Sequence, residues 1–183
     1  MNYAHIKTFD TADGAGCRTA LFVSGCTHHC EGCFNEVAWP FDYGQPFTTE
    51  VQDTLIAETN KSFIDGITIL GGEPMEVRNQ AALLPFLEKF KKRLPNKTIW
   101  IYSGYTWEQL TDEHNGRCHS GDTMPILNLI DVLVDGKFVL AKKDITLRFR
   151  GSSNQRIIDV PASLKAGGVI ISDYQMNERR KNA

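Results

Sequence analysis

Short runs of apolar residues alternate along the chain with longer segments in which apolar residues recur at helical spacing. Four runs are rich in β-branched residues and are ended by Gly, Ser or Asp, which is typical of buried strands. These predicted strands are Thr19 to Ser24, Ile64 to Leu70, Thr98 to Tyr102 and Ile130 to Val134. Because strands alternate with helical segments, the pattern predicts an α/β fold with a parallel sheet and right-handed crossovers.

Three segments between and after these runs have the apolar periodicity of amphipathic helices. They are Thr48 to Asn60, Asn79 to Leu94 and Trp107 to Glu113. The first has capping-box spacing at Thr49 and Gln52, and a similar spacing at Thr106 begins the third. Pro85 lies inside the second segment, so we expect a kink or a later start there. A loop is expected from His114 to Pro125.

Residues that can bind a ligand or take part in a reaction follow all four predicted strands. Cys26 follows the first, Gly71-Gly72-Glu73-Pro74 the second, Ser103-Gly104 the third and Asp135-Gly136-Lys137 the fourth. The carboxyl ends of parallel strands meet at one rim, where ligands bind in open α/β sheets and barrels. The sequence therefore predicts one site at which the four segments converge.

Length and charge limit the classes of protein to be considered. The 183 residues, 42% of them hydrophobic, suit one domain, and a formal net charge of -2 gives no overall attraction to nucleic acid or an anionic membrane. No stretch approaches the ~20 apolar residues of a membrane span, and the first residues do not resemble a signal peptide. We therefore expect a cytoplasmic protein with no membrane or nucleic-acid partner.

The strongest chemical signal is a C-x3-C-x2-C segment formed by Cys26, Cys30 and Cys33. Thiolate ligands suit iron-sulfur clusters and zinc. A 4Fe-4S cluster held by three cysteines leaves one iron without a protein ligand and open to substrate. The alternative is a structural zinc ion with His28 or His29 as fourth ligand, in a zinc-stabilised binding module without turnover.

The positions of the other candidate ligands favour the cluster over zinc. Both histidines lie inside the first cysteine interval, where a tight loop hinders joint ligation, and no second close pair of cysteines follows. We interpret Cys17 and Cys118 as packing thiols. Since two cysteines cannot build a second such cluster, we expect the reductant to be an external flavodoxin-like or ferredoxin-like donor.

The cysteine segment and the Gly71-Gly72-Glu73-Pro74 segment, each placed after a strand, together resemble the radical S-adenosylmethionine superfamily. The resemblance implies a partial, open (β/α) barrel of the radical S-adenosylmethionine type, with about six strands, because a full barrel needs ~250 residues. It implies that Cys26, Cys30 and Cys33 hold a 4Fe-4S cluster whose open iron chelates S-adenosylmethionine. The glycine segment would contact the methionine amino group through its backbone.

Six further segments make the resemblance more specific. They are Ser24-Gly25-Cys26, Cys33-Phe34-Asn35, Gly44 to Phe47, Trp100 to Tyr105, Val134 to Phe138 and Arg150 to Gln155. With them the chain resembles the family that activates anaerobic ribonucleoside-triphosphate reductases. The resemblance implies reductive cleavage of S-adenosylmethionine and abstraction of hydrogen from a glycine of the reductase large subunit, which leaves a glycyl radical. The implied partners are that subunit and an electron donor.

The resemblance also implies a set of cofactor contacts. They are Gly32, Cys33, Phe34, Gly71, Gly72, Glu73, Ser103, Asp135 and Lys137. The superfamily usually has an aromatic residue immediately before the third cysteine, whereas this chain has Gly32 there and Phe34 just after it. We therefore expect backbone around Gly32 to Phe34 to touch the adenine. Asp135 and Lys137 are expected to pair with the amino, carboxylate or ribose groups, and no catalytic side chain is predicted beyond cluster and cofactor.

The resemblance extends from the first residues to about Val160. Residues 1–160 are therefore predicted to form the radical S-adenosylmethionine domain, and residues 161–183 a C-terminal extension with a disordered end from Asn177.

Arg148, Arg150 and Arg156 form a basic cluster that we interpret as a docking or closure site. Two other functions stay open: a small radical enzyme acting on a metabolite, such as a 7-carboxy-7-deazaguanine synthase, or an activator of another glycyl radical enzyme.

Overall fold

The protein, described from a computed structural model over residues 1–176, is built on one mixed sheet. The tail from Asn177, predicted to be disordered, lies outside the described residues. The strands are β1 (Asn2–Asp10), β2 (Arg18–Val23), β3 (Gln45–Pro46), β4 (Gly66–Gly71), β5 (Thr98–Tyr102), β6 (Val132–Asp135) and β7 (Arg156–Asp159). The helices are α1 (Thr49–Thr59), α2 (Val77–Arg93), α3 (Trp107–Thr111), α4 (Thr123–Leu129), α5 (Val160–Ala166) and α6 (Asp173–Met176).

The seven strands lie in the order β3-β1-β2-β4-β5-β6-β7, and the sheet is open. Its centre is parallel, since β2 pairs with β4, β4 with β5 and β5 with β6 in parallel register. These four strands are the ones predicted from the apolar runs, so the α/β class is confirmed. The flanking strands β1, β3 and β7 pair antiparallel and were not predicted. The sheet therefore has seven strands where about six were expected.

Alternate residues of the central strands face opposite sides of the sheet, as the period of a strand requires. On one side, the helix face, they pack into a core with residues of α1 to α5. The helix face comprises Leu21, Val23, Ile67, Ile69, Ile99, Ile101, Leu133 and Ile158. The other side, the cavity face, comprises Ala20, Phe22, Leu70, Trp100, Tyr102, Val132, Val134 and Ile157. Helix packing on one side only leaves the second side available for a site.

The predicted helices are present with adjusted ends. The cap of α1 is Thr48, whose hydroxyl accepts from the backbone N–H of Val51, so the cap lies one residue before Thr49 and the capping box predicted for Thr49 and Gln52 is wrong. The box that begins α3 at Thr106 is confirmed. Helix α2 starts at Val77 and continues through Pro85, so a later start is wrong. Its buried apolar side, which packs in the core, stabilises the helix despite the proline.

Two segments contain helices that were not predicted. The predicted loop from His114 to Pro125 gives way to α4 at Thr123. After β7, α5 begins at Val160, and Ile171 then forms an isolated bridge with Ile158, so this part of the chain covers the edge of β7. The predicted domain boundary at residue 160 stays a prediction. Across residues 1–176, no helix has the length and apolar character needed to cross a bilayer.

Candidate active site

A cavity of about 460 Å³ opens at the rim formed by the carboxyl ends of the parallel strands. This volume lies within the range of about 300–1,000 Å³ typical of small-molecule sites. Its lining includes Cys26, Cys30, Gly32, Cys33, Phe34, Gly71, Gly72, Glu73, Ser103, Gly104 and Gly136. The predicted convergence of the four segments on one rim is therefore confirmed.

The loop that carries the three thiols is held to the rest of the protein by its main chain. Backbone N–H of Cys26 donates to the carbonyl of Trp39 at 2.9 Å, and N–H of Cys33 donates to the carbonyl of Cys30 at 3.1 Å. Thr27 binds Glu76 twice, through its N–H at 2.8 Å and its hydroxyl at 2.6 Å. These bonds fix the direction in which the loop leaves β2.

Burial makes two of the thiols weak acids. It raises the pKa of Cys26 to about 12 and also raises the pKa of Cys30, where the positive charge of Lys137 opposes the effect. Thiolates, and not thiols, bind metals, and a bound metal deprotonates its thiol ligands. Without a bound metal these two side chains are therefore neutral thiols at neutral pH.

The candidate metal ligands near the cysteine loop are three thiols and two imidazoles. Within residues 1–176, no three His, Cys, Asp or Glu side chains converge on one metal-ion position. A 4Fe-4S cluster does not require such convergence, since each cysteine binds a different iron. The histidines are engaged elsewhere: the ring of His28 packs 4.3 Å from that of Tyr105, and His29 stacks 4.6 Å from Trp39. Both imidazole rings are therefore packed against aromatic side chains.

The glycine segment after β4 brings main chain to the cavity wall. Gly71 has a φ of +108°, and a Cβ there would lie 2.8 Å from the Cα of Phe22. A Cβ on Gly72 would lie 2.6 Å from the carbonyl oxygen of Gly25. Both positions therefore require glycine, and the exposed main chain fits the backbone contact expected for a cofactor amino group.

The side chain of Glu73 joins three rim loops. It is buried, and its carboxylate accepts hydrogen bonds from the hydroxyl of Ser103 at 2.9 Å and the N–H groups of Gly104 at 2.6 Å and Met75 at 2.8 Å. Nε2 of His28 lies 3.2 Å from the same carboxylate. These groups occupy both carboxylate oxygens of Glu73, and the Ser103 hydroxyl is already directed to Glu73.

Asp135 does not line the cavity. It follows Val134 of the cavity face, so its side chain points to the opposite, helix face, where it is 1% exposed. There it accepts from the backbone N–H of Trp107 at 2.7 Å and from Nε of Arg156, its cross-strand partner, at 2.9 Å. The structure gives Asp135 a structural ion pair. Its contact with a cofactor stays a sequence prediction that this geometry does not support.

Two arginines of the basic cluster predicted for docking lie in different places, Arg156 on the helix face and Arg150 at the cavity. Arg156 binds Asp135 and also Glu108, with Nη1 and Nη2 at 3.0 and 2.8 Å from the two Glu108 oxygens. It is therefore held on the helix face and does not line the cavity. Arg150 lines the cavity and donates to the carbonyl of Gln155 at 3.0 Å.

The two remaining cysteines lie apart from the cavity lining. Cys118 is buried in the core of the helix face, where its thiol lies 3.3 Å from the carbonyl oxygen of Gln109. Cys17 is half-buried before β2. Both positions are those of single thiols, as interpreted from the sequence.

Sequence reasoning missed the role of Gln155. Its side-chain oxygen accepts from N–H of Gly151 at 2.9 Å and of Ser152 at 3.0 Å, and its amide donates to the carbonyl of Gly136 at 3.0 Å. Gln155 therefore ties the segment between β6 and β7 to the rim. The only sequence signal was that Arg150 to Gln155 contributed to the resemblance, without a role for any side chain.

Comparison with known proteins adds independent information. A family model described as a 4Fe-4S single cluster domain matches residues 12–158. Anaerobic ribonucleoside-triphosphate reductase-activating proteins of Salmonella typhi and Escherichia coli K12 are 41% and 40% identical, each over 85% of this chain and 96% of their own. The protein of the same name from enterobacteria phage T4 is 36% identical over 86% of this chain and 93% of its own.

Proposed function

The chain belongs to the family of anaerobic ribonucleoside-triphosphate reductase-activating proteins with a 4Fe-4S single cluster domain, and we propose that it activates such a reductase by radical S-adenosylmethionine chemistry. The observation that carries the proposal is the rim cavity, which brings the three clustered cysteines and the glycine segment together. The partial barrel of the radical S-adenosylmethionine type is part of the same proposal.

In the proposal, Cys26, Cys30 and Cys33 are the ligands of a 4Fe-4S cluster, and main chain at Gly71 and Gly72 binds the amino group of S-adenosylmethionine. When bound, the cluster and S-adenosylmethionine supply the one-electron chemistry that removes a hydrogen atom from a glycine of the reductase large subunit. Backbone around Gly32 to Phe34 contacts the adenine.

The protein's own residues orient these groups. Glu73 holds the loop after β5 through its bonds to Ser103 and Gly104, and its carboxylate lies 3.2 Å from Nε2 of His28 in the loop after β2. Lys137 is exposed and does not itself line the cavity, and in the proposal it pairs with an anionic group of the cofactor. Apolar side chains such as Leu70 and Tyr102 line the inner wall and keep water away from reactive species.

The electron comes from outside the chain in this proposal. Cys17 and Cys118 lie apart from the cavity and number too few for a second 4Fe-4S cluster. A flavodoxin-like or ferredoxin-like protein is therefore the proposed donor.

Electron paramagnetic resonance tests the proposal directly. The protein, reconstituted anaerobically with iron and sulfide, is incubated with the reductase large subunit, S-adenosylmethionine and a reductant. We expect a glycyl-radical doublet and release of methionine and 5'-deoxyadenosine. Cofactor cleavage without a doublet would favour a metabolite substrate or another glycyl radical enzyme, and zinc in place of iron and acid-labile sulfide would favour the binding module.

A further inference from the structure

Positive charge is concentrated in one segment between β6 and β7. Residues 137–150 contain five basic residues and one acidic residue, so the segment has a formal net charge of +4 in a chain whose net charge is -2. The basic run at the end of α2 is partly neutralised, because Asp53 contacts both Lys89 and Arg93. An uncompensated positive surface attracts a partner whose own surface is acidic.

Two exposed lysines of this segment have no role in the proposed function. They are Lys142 and Lys143, and neither has a carboxylate partner among residues 1–176. Lys143 lies at the edge of the cavity, and Lys142 lies outside it. Both side chains are therefore available to pair with the carboxylates of another protein.

The same segment contacts the cysteine loop through a short 3-10 helix, Leu140–Lys142. A Cβ on Gly32 would lie 3.0 Å from Cδ1 of Leu140, so this leucine packs against the loop between its second and third cysteines. Because Leu140 is itself 41% exposed, a single side chain separates the loop from solvent there. Glu31, the exposed acidic neighbour of Gly32, lowers the positive charge at this place by only one unit.

The main chain of this 3-10 helix is fixed by the residues before β7. The N–H of Ser153 donates to the carbonyl of Lys142 at 2.9 Å. The N–H of Val139 donates to the hydroxyl of Ser152 at 3.2 Å, and Lys143 pairs with Ser152 in an isolated antiparallel bridge. A surface whose backbone is already ordered loses little conformational entropy when a partner binds.

The cysteine loop needs a route for electrons that does not pass through the cavity. In the proposed function the cavity holds S-adenosylmethionine and admits the glycine of the reductase, so a donor cannot occupy the same opening. Complexes of electron-transfer proteins have small interfaces, and complementary charge brings the partners together quickly. An exposed apolar side chain next to two lysines, in contact with the cysteine loop, meets these requirements.

We propose that the surface formed by Leu140, Lys142 and Lys143, the turn surface, is the docking site of an acidic flavodoxin-like electron donor. The inference rests on the proposed function, because only a protein that holds a cluster to be reduced needs this donor. The lysines pair with carboxylates of the donor, and Leu140 contacts the flat, apolar edge of its flavin. The reduced flavin is oxidised by one electron, the cluster is reduced by that electron, and no bond is formed or broken.

Lys142→Glu tests the inference because Lys142 is exposed and does not line the cavity. The matched control is Lys165→Glu, since Lys165 is also exposed but lies in α5, which packs on the helix face through Leu164. With the cluster-loaded protein, we expect the dissociation constant for oxidised flavodoxin to rise about tenfold for Lys142→Glu and to stay unchanged for Lys165→Glu. The rate of cluster reduction at low concentrations of reduced flavodoxin should fall by the same factor, whereas reduction by dithionite should match the wild type.

Ionic strength provides a second measurement. Added salt should weaken flavodoxin binding to the wild-type protein more than to Lys142→Glu, because it screens pairs of exposed charges. Wild-type flavodoxin affinity and reduction rate of Lys142→Glu, or the absence of flavodoxin binding to the wild-type protein, would overturn the inference. Loss of affinity for the reductase in place of flavodoxin would also overturn it and assign the turn surface to the reductase. If flavodoxin binds here but the dithionite-reduced wild-type protein forms no glycyl radical, the proposed function fails and the docking site remains.

Discussion

The helix face and the cavity face of the sheet are built from alternate residues of the same strands, yet one packs against helices and the other borders a cavity. In β4, Ile69 faces the helices and is buried among other apolar side chains, whereas its neighbour Leu70 faces the cavity. In β5, Ile101 and Tyr102 are divided in the same way. The helix face is filled, so it determines stability, and the cavity face is left partly open, so it can hold ligands.

The comparison also explains why residues close in sequence have separate roles. A shift of one position in a strand moves a side chain to the other face. Val134 is on the cavity face, so Asp135 is directed toward α3 and Arg156. The residue after a strand reaches the rim through its backbone, as Gly136 does, even when the preceding side chain points away.

Replacing cysteines at the cavity and in the core of the helix face should give the largest difference in cluster content between variants. Replacing Cys26, Cys30 or Cys33 with Ser removes a proposed iron ligand, so we expect complete loss of the cluster and of S-adenosylmethionine cleavage. Cys118→Ala, in the core of the helix face, should retain both. Iron and acid-labile sulfide per chain, with the visible absorbance, measure the outcome. Loss of iron from Cys118→Ala would mean that the ligand set is wrong.

Truncation of neighbouring residues in β4 tests the contrast in packing. Ile69→Ala leaves a void in a filled core and should lower the free energy of unfolding by about 4 kcal/mol. Leu70→Ala borders a cavity that already exists, so the loss should be nearer to 2 kcal/mol, mainly the transfer free energy of the removed atoms. Urea denaturation at matched cluster content measures both changes. Equal losses would show that the cavity face is packed as tightly as the helix face.

Asp135→Ala distinguishes a structural ion pair from a cofactor contact. Removal of the carboxylate leaves the N–H of Trp107 without its partner and Arg156 with Glu108 alone, and loss of one member of a buried pair costs about 3 kcal/mol. We expect a lower melting temperature but wild-type affinity of the folded, cluster-loaded protein for S-adenosylmethionine. Unchanged stability with weakened S-adenosylmethionine binding would restore the assignment made from the sequence. Asp131→Ala, which removes a partly exposed ion pair with Lys91 and the hydrogen bond from the N–H of Ile99, is a suitable control.

Sequence pattern predicted the parallel centre of the sheet because each of those strands is a continuous apolar run, as expected for strands whose residues are buried on both faces. It missed β1, whose Asn2, His5 and Lys7 interrupt the apolar pattern, and β7, in which Arg156 and Asp159 leave only two apolar residues. For the site, spacing along the chain identified the thiols and the glycines, since both depend on local backbone. It could not identify Gln155, whose partners are brought together only by tertiary folding.

The smallest expected effect is on the free energy of unfolding at low pH, through an ion pair on the helix face. The hydrogen bond from Arg156 lowers the pKa of Glu108 from 4.5 to about 2, so the unfolded chain takes up this proton at a higher pH than the folded protein does. The bond therefore stabilises the fold fully above about pH 4.5, and its contribution is lost as the pH falls toward 2. Because the Glu108 side chain is 60% exposed, the contribution is at most about 1 kcal/mol. Urea denaturation should show that the free energy of unfolding falls more steeply with acid for the wild-type protein than for Glu108→Gln. If the two proteins lose stability in parallel as the pH falls, solvent screens the Glu108 end of the Asp135–Arg156–Glu108 network completely.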